Sequence, residues 1–233
     1  MTALVLVAHP DDAELAMGGS IAWLCGSGVE VVVSCFTTSE RTADTRRRRR
    51  SACEKAADVL GHRVSWVCDG AYDQVDEIRE STLVGMVDAE FARWDPAVVF
   101  THWEQDSHVD HARLARSVLA ASRRAPTCTL VQFGPADHRT PVYPTFVPNT
   151  YVEIGAEHLA RQVDALGYYV AAGMSVRPLD LDAVAVRARA RGMEVGCDLA
   201  EPFRLVRQTI SAVGNRHGWA AVGGRVGDRV GER

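Results

Sequence analysis

The amino-acid sequence predicts an α/β fold in a single domain, with a mostly parallel sheet flanked by helices. Three observations lead to it. Short β-branched runs alternate with longer helical patterns through the first two-thirds of the chain, the signature of βαβ units. Polar or glycine residues occupy each strand-to-helix junction, and an open α/β sheet builds its ligand site there, outside the carboxyl ends of the strands. The 233 residues are 47% hydrophobic and 24% charged, enough apolar material for one sizeable core and too much for disorder.

The elements follow in order. Ala3–Ala8 is an apolar run starting almost at the N-terminus, which reads as a buried first strand. Further strands are expected at Glu30–Phe36, Arg63–Cys68, Ala97–Thr101 and Cys128–Phe133. Between them, helical patterns cover Gly18–Gly26, Arg46–Leu60, Val75–Arg93 and His111–Arg124. Pro141, Pro144 and Pro148 make the segment from Arg139 to Pro148 an extended excursion. A short strand at Tyr151–Ile154 comes next, then helical stretches at His158–Ala172, Leu181–Gly192 and around Pro202–Ser211. The domain is expected to span 1–213. The remainder, 214–233, is rich in Gly and Arg and reads as a flexible tail.

Composition excludes several classes. A net charge of −4 argues against a nucleic-acid protein. No apolar run approaches the roughly 18 residues of a membrane span, and the first residues lack the basic region of a signal peptide. The six cysteines form no CxxC pair, so neither a zinc ribbon nor a disulfide framework is expected, and a reducing cytoplasm is the default location.

Two polar clusters stand out. His9-Pro10-Asp11-Asp12 sits directly after the first strand, where an imidazole and a carboxylate three residues apart can converge on a metal and Pro10 stiffens the turn. The second cluster runs from His102 to His111 after the strand ending at Thr101, with three of the eight histidines in ten residues. His108 and His111 share a face on a first helical turn. Each cluster alone also fits a solvated polar loop. Together, at strand ends of one sheet, they offer two imidazoles and a carboxylate, the open three-ligand site of a hydrolytic metal enzyme.

Ala8-His9-Pro10-Asp11-Asp12-Ala13-Glu14, followed by Met17-Gly18-Gly19, resembles the opening motif of the PIG-L/LmbE-like deacetylases, and Asp106-Ser107-His108-Val109-Asp110-His111 resembles their second motif. Supporting similarity runs through Thr38-Ser39-Glu40, Glu54-Lys55-Ala56-Ala57, Phe146–Val152 and Ala200-Glu201-Pro202-Phe203. The resemblance implies a Rossmann-like sheet and a zinc-dependent N-deacetylase acting on a small N-acetylated amino sugar or a conjugate of one. It implies zinc ligands at His9, Asp12 and His111, a general base at Asp11, an oxyanion-stabilising or proton-donating imidazole at His108, and Asp110 orienting His108. Fe(2+) or another divalent ion suits the same donors. An amidase acting on a sugar–thiol conjugate such as a mycothiol-type adduct, and a non-catalytic binding member of the fold, are the alternatives; the oligomeric state is open.

Weaker signals complete the reading. In Arg46–Arg50 only one or two side chains can face a single ligand, and Arg49 or Arg50 is the candidate for a substrate contact. Trp103 is a candidate sugar-stacking wall and His138 a candidate loop contact. Gly18-Gly19 lacks the company of a phosphate loop, which leaves it the role of letting backbone pass close by the metal site.

Overall fold

The structure is a computed structural model that describes residues 1–135, 145–173 and 180–209. In chain order it contains β1 (Thr2–Val7), α1 (Asp12–Gly26), β2 (Glu30–Cys35), α2 (Ala43–Leu60), β3 (Arg63–Trp66), α3 (Glu80–Trp94), β4 (Val98–His102) and α4 (Val109–Ala121). These are followed by β5 (Thr129–Phe133), β6 (Thr150–Glu153), α5 (Ala156–Ala171), α6 (Leu181–Val195) and β7 (Ala200–Arg207). Among the described residues the sheet has seven strands in the order β3-β2-β1-β4-β5-β7-β6. The first five are parallel, and β7 runs antiparallel to both neighbours.

The central strands are buried on both faces, which is why they read as unbroken apolar runs. Ala3, Val5 and Val7 pack with α1, α2, α5 and α6 on one face. Leu4, Leu6 and Ala8 pack with α3 and α4 on the other. Strand order reverses between β1 and β4, so their carboxyl ends open a crevice where ligands bind in such sheets. The His9 and His102 clusters meet there.

Three expectations are corrected. Within the stretch around Pro202–Ser211 expected to be helical, the described residues 202–209 are not: β7 lies between β5 and β6 and alternates on the sheet, with Phe203 in the core. Its pairing partners are distant in sequence, and that tertiary pairing overrides local pattern. Likewise α1 begins at Asp12 rather than Gly18, with a break at Met17 (φ −151°, ψ 27°). A single 3-10 turn at Val75–Glu77 precedes α3, which starts only at Glu80. His138, the boundary at 213 and the expected tail lie outside the described residues. All six cysteines are free. Among the described residues no helix is long and apolar enough to cross a membrane.

Candidate metal centre

Chain direction must reverse sharply between β1 and α1, and the turn is made by Asp11 in the left-handed region at φ 86°. A non-glycine residue there stores strain of the kind found where geometry serves a site. The turn is held by His9 N–H donating to Asp12 Oδ2 at 2.8 Å and by Leu15 N–H donating to the Asp11 carbonyl at 2.9 Å. On the facing side, His108 caps α4: its Nδ1 accepts the Asp110 N–H at 3.3 Å, so the neutral ring carries its proton on Nε2. That assignment follows from which nitrogen is already an acceptor.

Both imidazoles expected as metal ligands are oriented by carboxylates. His9 Nε2 lies 2.8 Å from Asp110 Oδ2, leaving Nδ1 facing Asp12 Oδ2 at 3.6 Å. His111 Nδ1 lies 2.9 Å from Asp106 Oδ2, leaving Nε2 facing Asp12 Oδ1 at 3.3 Å. A carboxylate on the far nitrogen of each ring fixes the tautomer and raises ligand basicity. Asp110, expected to orient His108, meets that ring through its backbone N–H, at 3.3 Å from Nδ1, while its carboxylate lies against His9 and accepts the N–H groups of Val75 and Asp76 at 3.1 and 2.9 Å. The Asp110 position at the start of α4, opposite the end of β1, makes His9 its neighbour across the crevice.

Sequence reasoning passed over Asp106 and His102. Asp106 also accepts the His108 N–H through Oδ1 at 3.0 Å. Its signal was its place inside the second motif. His102, the last residue of β4, stacks on His111 at 4.0 Å, and His111 stacks on His108 at 4.2 Å, both pairs within 13° of parallel. The row runs from buried His102 to exposed His108.

Charge follows burial and partners. Burial pushes the Asp11 carboxyl up to about 7, with Asp12 and Glu14 adding to the rise and Arg49 opposing it. Burial acts the same way on Asp12, but the imidazoles of His111 and His102 outweigh it and hold that carboxyl well below the usual range. Burial would lower His111, yet Asp12 and Asp106 raise it to about 10. Burial and the charge on His111 push His102 down to about 4. They also lower His108, with His9 contributing.

Among the described residues, two groups of three side chains bring one ligand atom each within 4.8 Å of one another: His9–His108–His111 and Asp12–His102–His111. Hydrogen bonds leave these ring nitrogens differently engaged, with His102 Nδ1 and His111 Nε2 both buried and unpartnered among the described residues. His102 Nε2 already accepts the Ala8 N–H at 3.0 Å, and His108 Nδ1 is occupied by Asp110. His111 Nε2 is buried with no hydrogen-bond partner among the described residues. An orphaned imidazole nitrogen beside an ionised carboxylate fits a divalent ion, and His/His/Asp donors fit zinc or Fe(II).

The remaining candidates divide. Arg49 reaches the site, donating to the Pro10 carbonyl at 3.2 Å and standing 3.4 Å from Asp11 Oδ1 and 3.5 Å from Glu40 Oε1. Arg50 does not: it pairs with Asp69 at 2.9 Å and lies over the Trp66 ring. Trp103 is 2% exposed and edge-on to Phe146, so its ring is packing and offers no face for a sugar.

Comparison with known proteins bears on the fold and the family. YaiS of Escherichia coli K12, described as an uncharacterized deacetylase, is 25% identical over 173 residues, covering 70% of this chain and 87% of its own. Among solved structures, GalB of Pseudomonas putida KT2440, a 4-carboxy-2-hydroxymuconate hydratase, superposes with a TM-score of 0.74 at 20% identity, covering 90% of this chain and 98% of its own. The N,N'-diacetylchitobiose deacetylase of Pyrococcus horikoshii gives 0.69 at 20% identity, covering 88% and 83%. These two share the fold. The sequence profile of the PIG-L family, described as GlcNAc-PI de-N-acetylase, matches residues 4–122, and the chain belongs to that family.

Proposed function

We propose that the chain is a zinc-dependent hydrolase that removes the N-acetyl group from a small amino sugar or a conjugate of one. The observation that carries this reading is the pair of freed imidazole nitrogens, His9 Nδ1 and His111 Nε2, both turned to Asp12 by carboxylates behind them. Asp11 stands beside this set, half-buried and with its carboxyl near the operating pH of a general base.

His9, Asp12 and His111 would hold the metal, whose chemistry there would be to acidify water and to polarise a carbonyl. The protein's own groups do the rest. Asp11 takes the proton of the attacking water, held in place by the turn and by Arg49. His108, exposed at the end of the imidazole row, presents Nε2–H to the developing oxyanion, and the proton taken by Asp11 goes on to the leaving amine. Asp106 and Asp110 keep the metal-binding rings from rotating. Among divalent ions, Fe(II) suits the same donors, and the larger acyl groups of sugar–thiol conjugates undergo the same chemistry.

The test is elemental analysis of freshly purified protein together with acetate release from a panel of N-acetyl amino sugars and their conjugates, with and without chelator. About one zinc per chain and chelator-sensitive acetate release are expected for a three-ligand catalytic site. Protein that takes up no divalent metal under any loading condition overturns the reading.

A further inference from the structure

The break in α1 is held from outside the helix. In an unbroken helix the Leu15 carbonyl would accept the Gly19 N–H. At the break the Gly19 and Ser20 N–H groups donate to the two carboxylate oxygens of Glu201, at 3.0 and 2.6 Å. Carbonyls on the other side of the break take side-chain donors: Leu15 accepts from Arg187 and Glu14 accepts from Gln162 Nε2 at 2.8 Å. Tyr169 adds a hydrogen bond to the Glu14 side chain at 3.1 Å. A side chain inserted into the helical ladder is a recognised cause of a bend.

These groups are buried and closely fitted. Glu201 is 4% exposed and Gln162 is 1% exposed. A Cβ on Gly18 would come within 2.6 Å of Gln162 Cγ, and one on Gly19 within 2.6 Å of Ile154 Cδ1 and 3.3 Å of Glu201 Oε1. Gly18-Gly19 therefore lets α5 and β7 press onto α1 at the break. The Glu201 carboxylate also meets the positive end of the second helical segment, where negative charge is favoured.

We propose that Glu201 is a positioning residue for the metal-binding turn, acting with Gln162 and Arg187 through the bend in α1. The inference rests on the metal-dependent reading above. Asp12 lies five residues before Met17 on the far side of the break. That is about 7 Å of helix at about 1.5 Å per residue, so a change of about 10° in the bend moves Asp12 by about 1 Å. His111 sits on α4 across the crevice and does not follow. A displacement of about 1 Å is enough to lower turnover by about a hundredfold. All three residues of the clamp lie beyond residues 4–122, so the second half of the chain, outside the family match, sets the geometry of the first.

The test compares Glu201→Gln with Val87→Ala, which removes core volume from α3 on the opposite face of the sheet. Glutamine keeps the shape but can accept through only one oxygen, leaving one of the two N–H groups opposite an NH2. Zinc affinity of the metal-free proteins by chelator competition, Tm, kcat and KM are measured well below the unfolding transition. The expected result is a loss of about 10- to 100-fold in zinc affinity for Glu201→Gln, the size found for outer-shell partners, with lower kcat and unchanged KM. Val87→Ala should lose Tm alone. As a second variant pair, Arg187→Met should behave like Glu201→Gln and Arg187→Lys should restore zinc affinity; this pair decides if Glu201→Gln does not fold. Equal zinc affinity and kcat in wild type and both clamp variants overturns the proposal while leaving the metal site intact. Failure of the wild type itself to bind zinc overturns the metal reading, and the proposal with it.

Discussion

His111 Nε2 and Asp12 Oδ1 stand 3.3 Å apart without forming a directed hydrogen bond, although both are buried. One lies on the turn after β1 and the other on the first turn of α4, about a hundred residues later. In the metal-free protein the carboxylates of Asp12 and Asp106 draw a proton onto His111. A divalent ion satisfies the same demand for positive charge, and the two compete for one nitrogen.

That competition fixes a pH dependence. His111 holds its proton up to about pH 10, while Asp12 is already ionised at neutral pH. Metal must displace one proton, so affinity should rise about tenfold per pH unit around neutrality. Below about pH 7 Asp11 is protonated as well, and its proton steepens the dependence. Calorimetric titration of zinc into the metal-free protein, in buffers of differing ionisation enthalpy, should count the released proton; no release is the contrary result.

Replacing ligand and base should separate two functions. His111→Ala removes the orphaned nitrogen and should abolish stoichiometric metal. Asp11→Ala should keep the metal and lower kcat by about 10²- to 10⁴-fold, the range for a general base. Elemental analysis and steady-state kinetics on both variants check this division, and equal loss of metal in the two rejects it.

Carboxylates behind the rings should matter nearly as much. Asp106→Asn weakens the hold on His111 Nδ1, and Asp110→Asn the hold on His9 Nε2. Each should cost about 10- to 100-fold in metal affinity. Asp110→Asn should also loosen the turn at Val75 and Asp76, whose N–H groups its carboxylate accepts. Chelator competition reads the first effect and amide exchange at those two residues the second.

Arg49 and Arg50, adjacent in sequence, should differ in effect. The Arg49 guanidinium draws the Asp11 carboxyl down against burial. Its removal raises that carboxyl further, so Arg49→Ala should shift the acid limb of kcat/KM to higher pH, because the base must be unprotonated to act. Arg50→Ala should leave the limb in place, since Arg50 is tied to Asp69 and Trp66. Parallel pH–rate profiles of the two variants test the contrast.

Much of this was legible without coordinates. Unbroken apolar runs such as Ala3–Ala8 and Ala97–Thr101 announce strands buried on both faces, because each alternate side chain has a helix to cover. The helical expectation at Pro202–Ser211 failed because β7 is created by its neighbours β5 and β6, and no local period encodes them. Trp103 looked available because it lies within a polar motif, but Phe146, more than forty residues later, closes over its ring.

By itself the sequence determined which chemistry is present: His9, Asp11, Asp12, His108 and His111 at two strand ends, residue types whose donor atoms suit a metal and a base wherever the fold brings them together. Tertiary structure alone decided which atom of each does what. Whether Asp110 serves His108 or His9, whether Arg49 or Arg50 faces Asp11, and whether His102 ligates or supports are questions of hydrogen bonds across the crevice. Those bonds depend on distance and direction between segments far apart in the chain, and spacing along the chain carries neither.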